Sequence, residues 1–258
     1  MRGHELTLLF NVVPQMNARG EVIGTQGTAV DITEQKTAFS KLEASLKEKE
    51  LLLREIHHRV KNNMQVISSL LSLQTDQIRD SQYAEIFNDT KNRVKTMSLV
   101  HEKLYMSKDL ASIDFRDYIK DLAESLFSAY KTTARNITFN IEVEDVSLNV
   151  DTAIPCGLLI NELLSNSLKH AFPGGRKGKI NISLEKTLAE DKTVYDLVVS
   201  DDGIGIPDGI DIRETSSLGL PLVNTLAERQ LRGTLELDRT KGTKFHIRFR
   251  EVTYGKRM

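Results

Sequence analysis

The segment Leu51–Leu71, LLLREIHHRVKNNMQVISSLL, carries two adjacent histidines within a long amphipathic helical pattern. Apolar residues in and before this segment recur in alternating steps of three and four, which is the heptad period of a coiled coil. Leu53 then lies at an a position and Ile56 at a d position, so His57 falls at e and His58 at f. We therefore expect both imidazoles to lie on the outside of the helix, with His58 the more exposed.

Length and composition describe an ordinary soluble protein with about two domains. The chain has 258 residues, of which 40% are hydrophobic and 28% charged. A net charge of -1 gives no reason to expect nucleic acid as a partner. No apolar run approaches the roughly 20 residues that cross a bilayer, so we predict a cytoplasmic protein without a membrane segment. The single Cys156 excludes an internal disulfide and cannot alone form a zinc site.

The N-terminal half of the chain is predicted to hold two strands and then a helical hairpin. Residues 6–13 and 21–30 read as strands joined by a turn at 17–20. Two strands cannot form a stable core, so we expect them to be the end of a larger β domain or to pair with another chain. Helical periodicity follows to about residue 80 and again over 82–106, with His101 on the inward face. Two copies of such a hairpin would form a four-helix bundle.

After a linker at 107–113, the pattern changes to mixed helix and strand. Since helices and strands do not alternate as βαβ units, we predict an α+β fold whose C-terminal part is an α/β sandwich with an antiparallel or mixed sheet. The predicted helices cover 115–130, 151–171 and 218–230, and the predicted strands cover 136–144, 178–186, 193–201, 233–238 and 243–250.

The helical segment NELLSNSLKHAF places polar side chains on one face. Glu162 and Asn166 are four residues apart and offer the hard oxygen ligands that Mg²⁺ prefers. Lys169 and His170 follow one turn later and can contact phosphates. This face is either a triphosphate-binding surface or a solvated polar stripe.

Three later fragments complete a candidate nucleotide site. Asp201 ends a predicted strand and can accept a hydrogen bond from an exocyclic amine, while Gly203 and Gly205 permit an unusual backbone path after it. The stretch SLGL at 217–220 leads into a helix, whose first N–H groups suit phosphate oxygens. TKGTKF at 240–245 turns into the last strand. Each fragment alone is weak evidence, whereas four in this order favour a nucleotide site.

Together these motifs resemble the sensor histidine kinases of two-component signalling, in the HisKA_2 or HWE-like subgroup whose acceptor segment reads H-R-x-K-N, here residues 58–62. The resemblance covers about residues 31–252, and the first 30 residues resemble the closing strands of a PAS sensor domain whose front half is missing. It implies an ATP-binding domain of the GHKL (Bergerat) type, Mg²⁺ and ATP as cofactors, and a flexible lid between about Ile206 and Ser217.

The family's ATP-binding motifs are present as short blocks. The N box is matched by Asn161, Glu162, Asn166, Lys169 and His170, the G1 box by Asp201, Gly203 and Gly205, the G2 box by Gly219 and Leu220, and the last glycine motif by Gly242 and Thr243.

The family register places the phosphoacceptor at His58, with His57 as the alternative. The acidic residue that usually follows the acceptor is replaced by Arg59. Glu55, three residues before His58 on the same helical face, is our candidate for the missing base. Asn62, one turn after His58, is placed to act on the phosphoaspartate of the regulator.

The resemblance predicts a homodimeric kinase that phosphorylates His58 from ATP and passes the phosphoryl group to an aspartate of a response regulator receiver domain. Residues 1–31 would then be PAS-like strands, 32–110 the dimerisation and phosphotransfer hairpin, and 111–258 the catalytic ATP-binding domain. The alternatives are a GHKL-type ATPase without phosphotransfer and an inactive scaffold that binds the regulator.

Overall fold

The computed structural model describes residues 6–107, 112–130, 136–190, 192–213, 215 and 218–252. These residues fall into two compact units, which divide after Leu53. The predicted fold class is confirmed, because helices dominate the part before residue 107 and a mixed α/β domain follows.

The first unit contains a β-hairpin followed by the start of a helix. Strands β1 (Leu8–Met16) and β2 (Val22–Asp31) pair antiparallel, as the sequence predicts. The Asn17 side chain closes the turn by accepting hydrogen bonds from the N–H groups of Arg19 and Glu21 at 2.9 and 3.0 Å. Nearly every strand residue is exposed, so the hairpin has no core of its own.

Two long helices form the predicted hairpin. Helix α1 covers Thr33–Thr75 and helix α2 covers Ser81–Met106. Helix α1 ends about five residues before the predicted boundary, and the Asp80 carboxylate caps α2 by accepting a hydrogen bond from the Gln82 N–H at 2.8 Å. Lys61 of α1 forms an ion pair with Glu102 of α2 at 2.7 Å, which joins the two helices within the second unit.

The second unit contains a five-stranded sheet in the order β4-β6-β7-β9-β8. Only β4 and β6 run parallel, so the predicted mixed sheet is confirmed. A two-stranded ladder of three-residue strands, β3 and β5, lies apart from it and was not predicted. The strands are β3 (Ser112–Asp114), β4 (Ile137–Val143), β5 (Ser147–Asn149), β6 (Gly178–Ala189), β7 (Lys192–Asp201), β8 (Thr234–Asp238) and β9 (Thr243–Phe249).

Helices α3 (Phe115–Ala129), α4 (Val150–Asn166) and α5 (Gly219–Asn224) accompany this sheet. Asp114 and Asn149 cap the first two of them through backbone N–H groups. The predicted helices 151–171 and 218–230 are confirmed, but each changes to a π-helical turn in its second part, at Ser167–Ala171 and Thr225–Gln230. A 3₁₀ turn at Pro173–Gly175 follows the first of these turns.

Helix α4 is the centre of the apolar core. Nearly all of its residues are buried, because the sheet, α3, α5 and α2 all contact it. Val100 and Leu104 of α2 are fully buried in the same apolar cluster as Leu159 and Ile182. The sequence assigned α2 to the helical hairpin alone, and its packing against the ATP-binding domain was not predicted.

Across the described residues, every helix is either too short or too polar to span a bilayer.

Candidate phosphoacceptor and nucleotide site

His58 projects from α1 into solvent, which confirms the predicted exposure. Its ring centroid lies 5.5 Å from that of Tyr105, and the Asn62 Nδ2 atom lies 3.5 Å from His58 Nδ1. In the part of the chain that the structure describes, no hydrogen bond reaches His58 Nε2. That nitrogen is therefore open to an incoming phosphoryl group.

His57 is buried, so the prediction that both imidazoles lie outside the helix is wrong for this residue. Its Nδ1 atom lies 3.1 Å from Nδ1 of His101, which faces inward as predicted. The heptad treats position e as a flank, but α2 covers that flank within the same hairpin. Burial lowers the pKa of both imidazoles and favours a neutral pair, in which one ring donates an N–H to the other.

Glu55, the candidate base, pairs with Arg59 at 2.7 Å across one helical turn. Both side chains are exposed, so this ion pair contributes little stability and exchanges readily with solvent. The role of Glu55 as a base stays a prediction.

A cavity of about 770 Å³ lies in the second unit, between α2, α4 and the ends of β7 and β9. This volume is within the range of small-molecule and cofactor sites. Most of the predicted nucleotide residues line it: Asn161, Glu162, Asn166, Lys169, His170, Asp201, Gly205, Gly219, Leu220 and Thr243.

Asp201 lies at the end of β7 and is only 6% exposed. Ser167 Oγ donates a hydrogen bond to one carboxylate oxygen at 2.7 Å, and the Gly203 N–H donates to the other at 3.0 Å. These two contacts fix the carboxylate beside apolar cavity walls that include Val199 and Phe245. The arrangement suits a hydrogen bond to the amine of a purine held between apolar surfaces.

Gly203 and Gly242 do not line the cavity. They allow the backbone segments that form its walls to pack closely against each other. Gly242 has φ 85°, and a Cβ there would collide with the Asp201 carbonyl. A Cβ on Gly203 would collide with Ala171, at the end of the π-helical turn. Both glycines therefore permit close packing around Asp201.

Glu162 is 5% exposed, and its carboxylate is held by Arg93 of α2. Arg93 donates to both carboxylate oxygens, at 2.8 and 2.7 Å, and this contact raises the pKa of the guanidinium. Asn161 donates to the same carboxylate at 3.1 Å. A Cβ on Gly219 would lie 3.3 Å from Glu162 and 3.6 Å from Asn166, so the predicted G2 and N boxes meet here.

Lys169 pairs with two carboxylates of α2, those of Glu85 and Asp89, both at 2.7 Å. Burial acts to lower the pKa of Lys169, but the hydrogen bonds to Asp89 and Glu85 more than offset it, so the pKa is raised. The hydrogen bond from Lys169 in turn lowers the pKa of Glu85. His170 is exposed at the cavity edge.

The residues present fit a magnesium nucleotide. Glu162 and Asn166 are hard oxygen donors, and the buried Glu162 carboxylate already has a cationic partner. Among the residues that the structure describes, no cluster of three or more His, Cys, Asp or Glu side chains could hold a metal alone. A Mg²⁺ ion at this position would therefore take its other ligands from phosphates and water, as it commonly does.

The predicted lid, Ile206 to Ser217, is described only in part, because residues 214, 216 and 217 lie outside the described ranges. Its first turn is tied down by Arg239, a residue that the sequence analysis did not single out. The Arg239 guanidinium donates to the carbonyl oxygens of Pro207, Asp208 and Ile210 at 3.2, 3.1 and 2.8 Å.

The structure does not bring His58 to the cavity. His58 contacts Tyr105 of α2. Arg93, which lies on α2 as well, lines the cavity. Twelve residues of α-helix separate these two positions, which corresponds to about 18 Å along the axis at the usual rise. Phosphoryl transfer to His58 therefore requires a different placement of the nucleotide relative to an acceptor helix.

Sequence reasoning missed the charged cavity residues of α2, which are Glu85, Asp89 and Arg93. Their spacing of four residues was a readable signal of one helical face. It was not used because α2 was not expected to contact α4.

A mixed α/β sandwich with this cavity, joined to a helical hairpin with an exposed histidine, defines the class of histidine kinases. Residues 55–130 match the family model described as histidine kinase. Residues 152–253 match the model described as histidine kinase-, DNA gyrase B- and HSP90-like ATPase.

Relatives of known name agree with these matches. The chain is 33% identical over 255 residues to the sensor histidine kinase PdtaS of Mycobacterium tuberculosis, covering 97% of this chain and 48% of that protein. It is 28% identical over 180 residues to blue-light-activated histidine kinase 2 of Erythrobacter litoralis, covering 68% of this chain and 50% of that one. The chain thus spans about half the length of the curated relatives it matches.

A solved structure is also similar. The histidine kinase domain of the Erythrobacter litoralis EL346 blue-light activated kinase superimposes with a TM-score of 0.57 and 26% identity, covering 79% of this chain and 95% of that one. The 33% identity to PdtaS over 97% of the chain, together with the two family models, shows that the chain belongs to the histidine kinase family.

Proposed function

We propose that this chain is an ATP-dependent protein histidine kinase that phosphorylates His58 and passes the phosphoryl group to an aspartate of a response regulator. The observation that carries the proposal is the pairing of a nucleotide-sized cavity around Asp201 with a solvent-facing imidazole on the helical hairpin. ATP as the donor implies a cytoplasmic reaction.

Each group of residues has a role in this reaction. Asp201 selects the adenine amine, while Lys169, His170 and the first N–H groups of α5 hold the phosphates. Glu162 and Asn166 would hold Mg²⁺, which offsets charge on the triphosphate. Most of the catalysis is then positioning of the terminal phosphate in line with the acceptor.

At the acceptor, the His58 Nε2 lone pair attacks the terminal phosphorus while ADP leaves. Attack by this nitrogen requires the proton of neutral His58 to reside on Nδ1. The Asn62 amide nitrogen lies 3.5 Å from Nδ1, so in this tautomer the amide would turn its oxygen toward the Nδ1 proton. Glu55 is proposed to take up that proton, and its exposed ion pair with Arg59 leaves it free to do so. Asn62 is proposed to act later, on the phosphoaspartate of the regulator.

The active unit is proposed to be a homodimer. In the second unit, the side chains of Ile67 and Leu70 on α1 are 46% and 57% exposed. An apolar stripe of this kind is unusual on a solvated helix and suits a second hairpin of the same sequence. We also propose the domain limits that the sequence predicts, which are 1–31, 32–110 and 111–258.

The proposal is tested by incubating the purified chain with γ-labelled ATP and Mg²⁺. We expect acid-labile, base-stable label on the wild type, none on His58→Gln, and measurable label on His57→Gln. Label that survives in His58→Gln and disappears in a folded His57→Gln would refute the assignment of the acceptor. Release of inorganic phosphate without any labelled protein would instead indicate a GHKL-type ATPase.

A further inference from the structure

Helix α2 presents three charged side chains to the nucleotide cavity at intervals of four residues: Glu85, Asp89 and Arg93. This spacing places them on one helical face. Each forms an ion pair with an ATP-domain residue that the proposed function assigns to MgATP. The contacts are short, at 2.7 Å for all three pairs.

The signs of these charges match those of a magnesium nucleotide. Two carboxylates, those of Glu85 and Asp89, contact the ammonium group of Lys169, where phosphate oxygens would otherwise bind. One guanidinium, that of Arg93, holds both oxygens of Glu162, where Mg²⁺ would otherwise bind. Helix α2 therefore offers anions to the phosphate-binding residue and a cation to the metal-binding residue.

We propose that this face of α2 is an internal competitor of MgATP, which must release Lys169 and Glu162 before the triphosphate and its metal can bind fully. The proposal rests on the proposed nucleotide function and names the regulation of that same site. The form described here is then a closed form of the kinase.

The closed form satisfies charges that would otherwise be buried alone. The side chains of Arg93 and Glu162 are 13% and 6% exposed, and that of Lys169 is 14% exposed. Leaving one such partner unpaired is costly. The clamp, which is the set of Glu85, Asp89 and Arg93, and the nucleotide are therefore alternative ways to neutralise Lys169 and Glu162. Release by MgATP removes this cost because the ligand replaces both partners.

The closed form also separates the two reacting sites. His58 lies beside Tyr105, about 18 Å along α2 from the clamp at Arg93. A nucleotide held in the cavity beside Arg93 cannot deliver phosphate to the histidine beside Tyr105 while α2 stays packed against the ATP-binding domain. Undocking by the nucleotide would thus couple binding to the movement that transfer requires.

A competitor lowers the apparent affinity by the fraction of protein that is open. The first test replaces both carboxylates by their amides, Glu85→Gln with Asp89→Asn, in the full chain. The matched control, Glu124→Gln with Glu185→Gln, removes the same charge from exposed positions outside the cavity. The readout is the dissociation constant of a non-hydrolysable ATP analogue with Mg²⁺, measured by calorimetry.

We expect the clamp variant to bind the analogue about tenfold more tightly than the wild type, and the control to bind within about twofold of it. Equal tightening in the clamp variant and the control would reduce the effect to net charge and overturn the proposal. Unchanged or weaker binding in the clamp variant would overturn it as well.

The second test addresses the cation. Replacing Arg93 by Gln leaves Glu162 without its guanidinium, so less Mg²⁺ should be needed for half-maximal binding of the analogue. Arg93→Lys keeps the charge and should stay near the wild-type midpoint. A higher Mg²⁺ midpoint in Arg93→Gln would show that Arg93 assists the nucleotide and would overturn the proposal, as would no change. Thermal unfolding with and without MgADP checks that each variant is folded.

The outcomes separate this proposal from the function on which it rests. If neither the wild type nor any variant binds the analogue, the nucleotide function itself is refuted, and the competitor with it. If all of them bind with the same affinity and the same Mg²⁺ midpoint, the nucleotide function stands and only the competitor is refuted.

Discussion

At the residue scale, Asp201 can accept a hydrogen bond from a ligand amine in a way that an asparagine side chain cannot. Each carboxylate oxygen already receives one hydrogen bond, from Ser167 or from the Gly203 N–H, and keeps lone pairs for a ligand amine. In Asp201→Asn, one oxygen becomes an NH₂ group that faces donors. We expect nucleotide affinity measured by calorimetry to fall about 10- to 100-fold, the equivalent of roughly 1.5–3 kcal/mol for a charge-assisted hydrogen bond.

Ser167→Ala is the control for that substitution. It removes one donor to the Asp201 carboxylate but leaves the acceptor for the adenine amine, so the loss should be smaller, at about tenfold or less. Wild-type affinity in a folded Asp201→Asn chain would refute the assigned role. A larger loss in Ser167→Ala than in Asp201→Asn would assign the selectivity to the serine instead.

The sequence predicted the cavity residues whose chemical type alone suggests a ligand contact, and missed those whose importance depends on a tertiary partner. Asp201 and Glu162 were found because a carboxylate at a strand end and a spaced pair of oxygen ligands are visible in one dimension. Arg93 was not found because its meaning depends on which surface α2 contacts. The same holds for Ser167, whose hydroxyl matters only beside Asp201.

At the element scale, the helical hairpin contains a pair of titratable histidines in contact with each other. The folded-state pKa values of His57 and His101 are lowered, mainly by burial, from the ordinary value of 6.5. Below about pH 6.5 the unfolded chain therefore binds more protons than the folded one, so the free energy of unfolding should fall as the pH drops further. Lys61 and Glu102, on the same two helices, form an ion pair with each other.

The measurement is thermal unfolding between pH 7.5 and 5.5, before most carboxylates titrate. His101→Gln keeps a polar side chain but removes one titrating group, so its melting temperature should fall less over this range than that of the wild type. Identical pH dependence in the two proteins would show that the histidine pair does not control the stability of the hairpin.

The same helices carry the proposed dimer surface. Ile67 and Leu70 lie on the exposed stripe of α1, and placing two lysines there buries charge in any interface that covers it. We expect the double substitution Ile67→Lys with Leu70→Lys to convert a dimer to a monomer in light-scattering measurements. Nucleotide affinity should be unchanged because neither residue lines the cavity.

A matched control is Lys91→Glu with Lys95→Glu, which alters charge on α2 at positions that do not line the cavity. If the Ile67→Lys, Leu70→Lys variant is still a dimer, the interface lies elsewhere. A monomeric wild type would refute the homodimer.

The type of an element was predictable where its periodic pattern extends over several turns. The prediction failed where the element is too short to show a pattern. Helices α1 and α2 have many turns of regular pattern, and their existence was predicted with one boundary five residues too late. Strands β3 and β5 contain three residues each, too few for any alternation to show. The π-helical turn at Ser167–Ala171 has helical composition, so sequence alone cannot distinguish it from the end of α4.

At the scale of the whole molecule, the two compact units differ in what they contain. All residues that line the nucleotide cavity belong to the unit from Arg54 onward, and so does His58. The first unit contributes a β-hairpin whose residues are almost all exposed. Nucleotide binding should therefore be a property of the second unit, whatever the hairpin pairs with.

Deleting residues 1–31 tests this division. The deletion removes both strands of the β-hairpin and leaves the whole of α1. The affinity for MgADP should therefore stay within about twofold of the full chain, a difference of less than roughly 0.5 kcal/mol. The Glu124→Gln, Glu185→Gln chain, whose substitutions lie within the second unit but outside the cavity, sets the variation expected from a neutral change. If the deletion abolished binding while circular dichroism showed the helices intact, the nucleotide site would depend on the hairpin, and the two units could not be treated as independent.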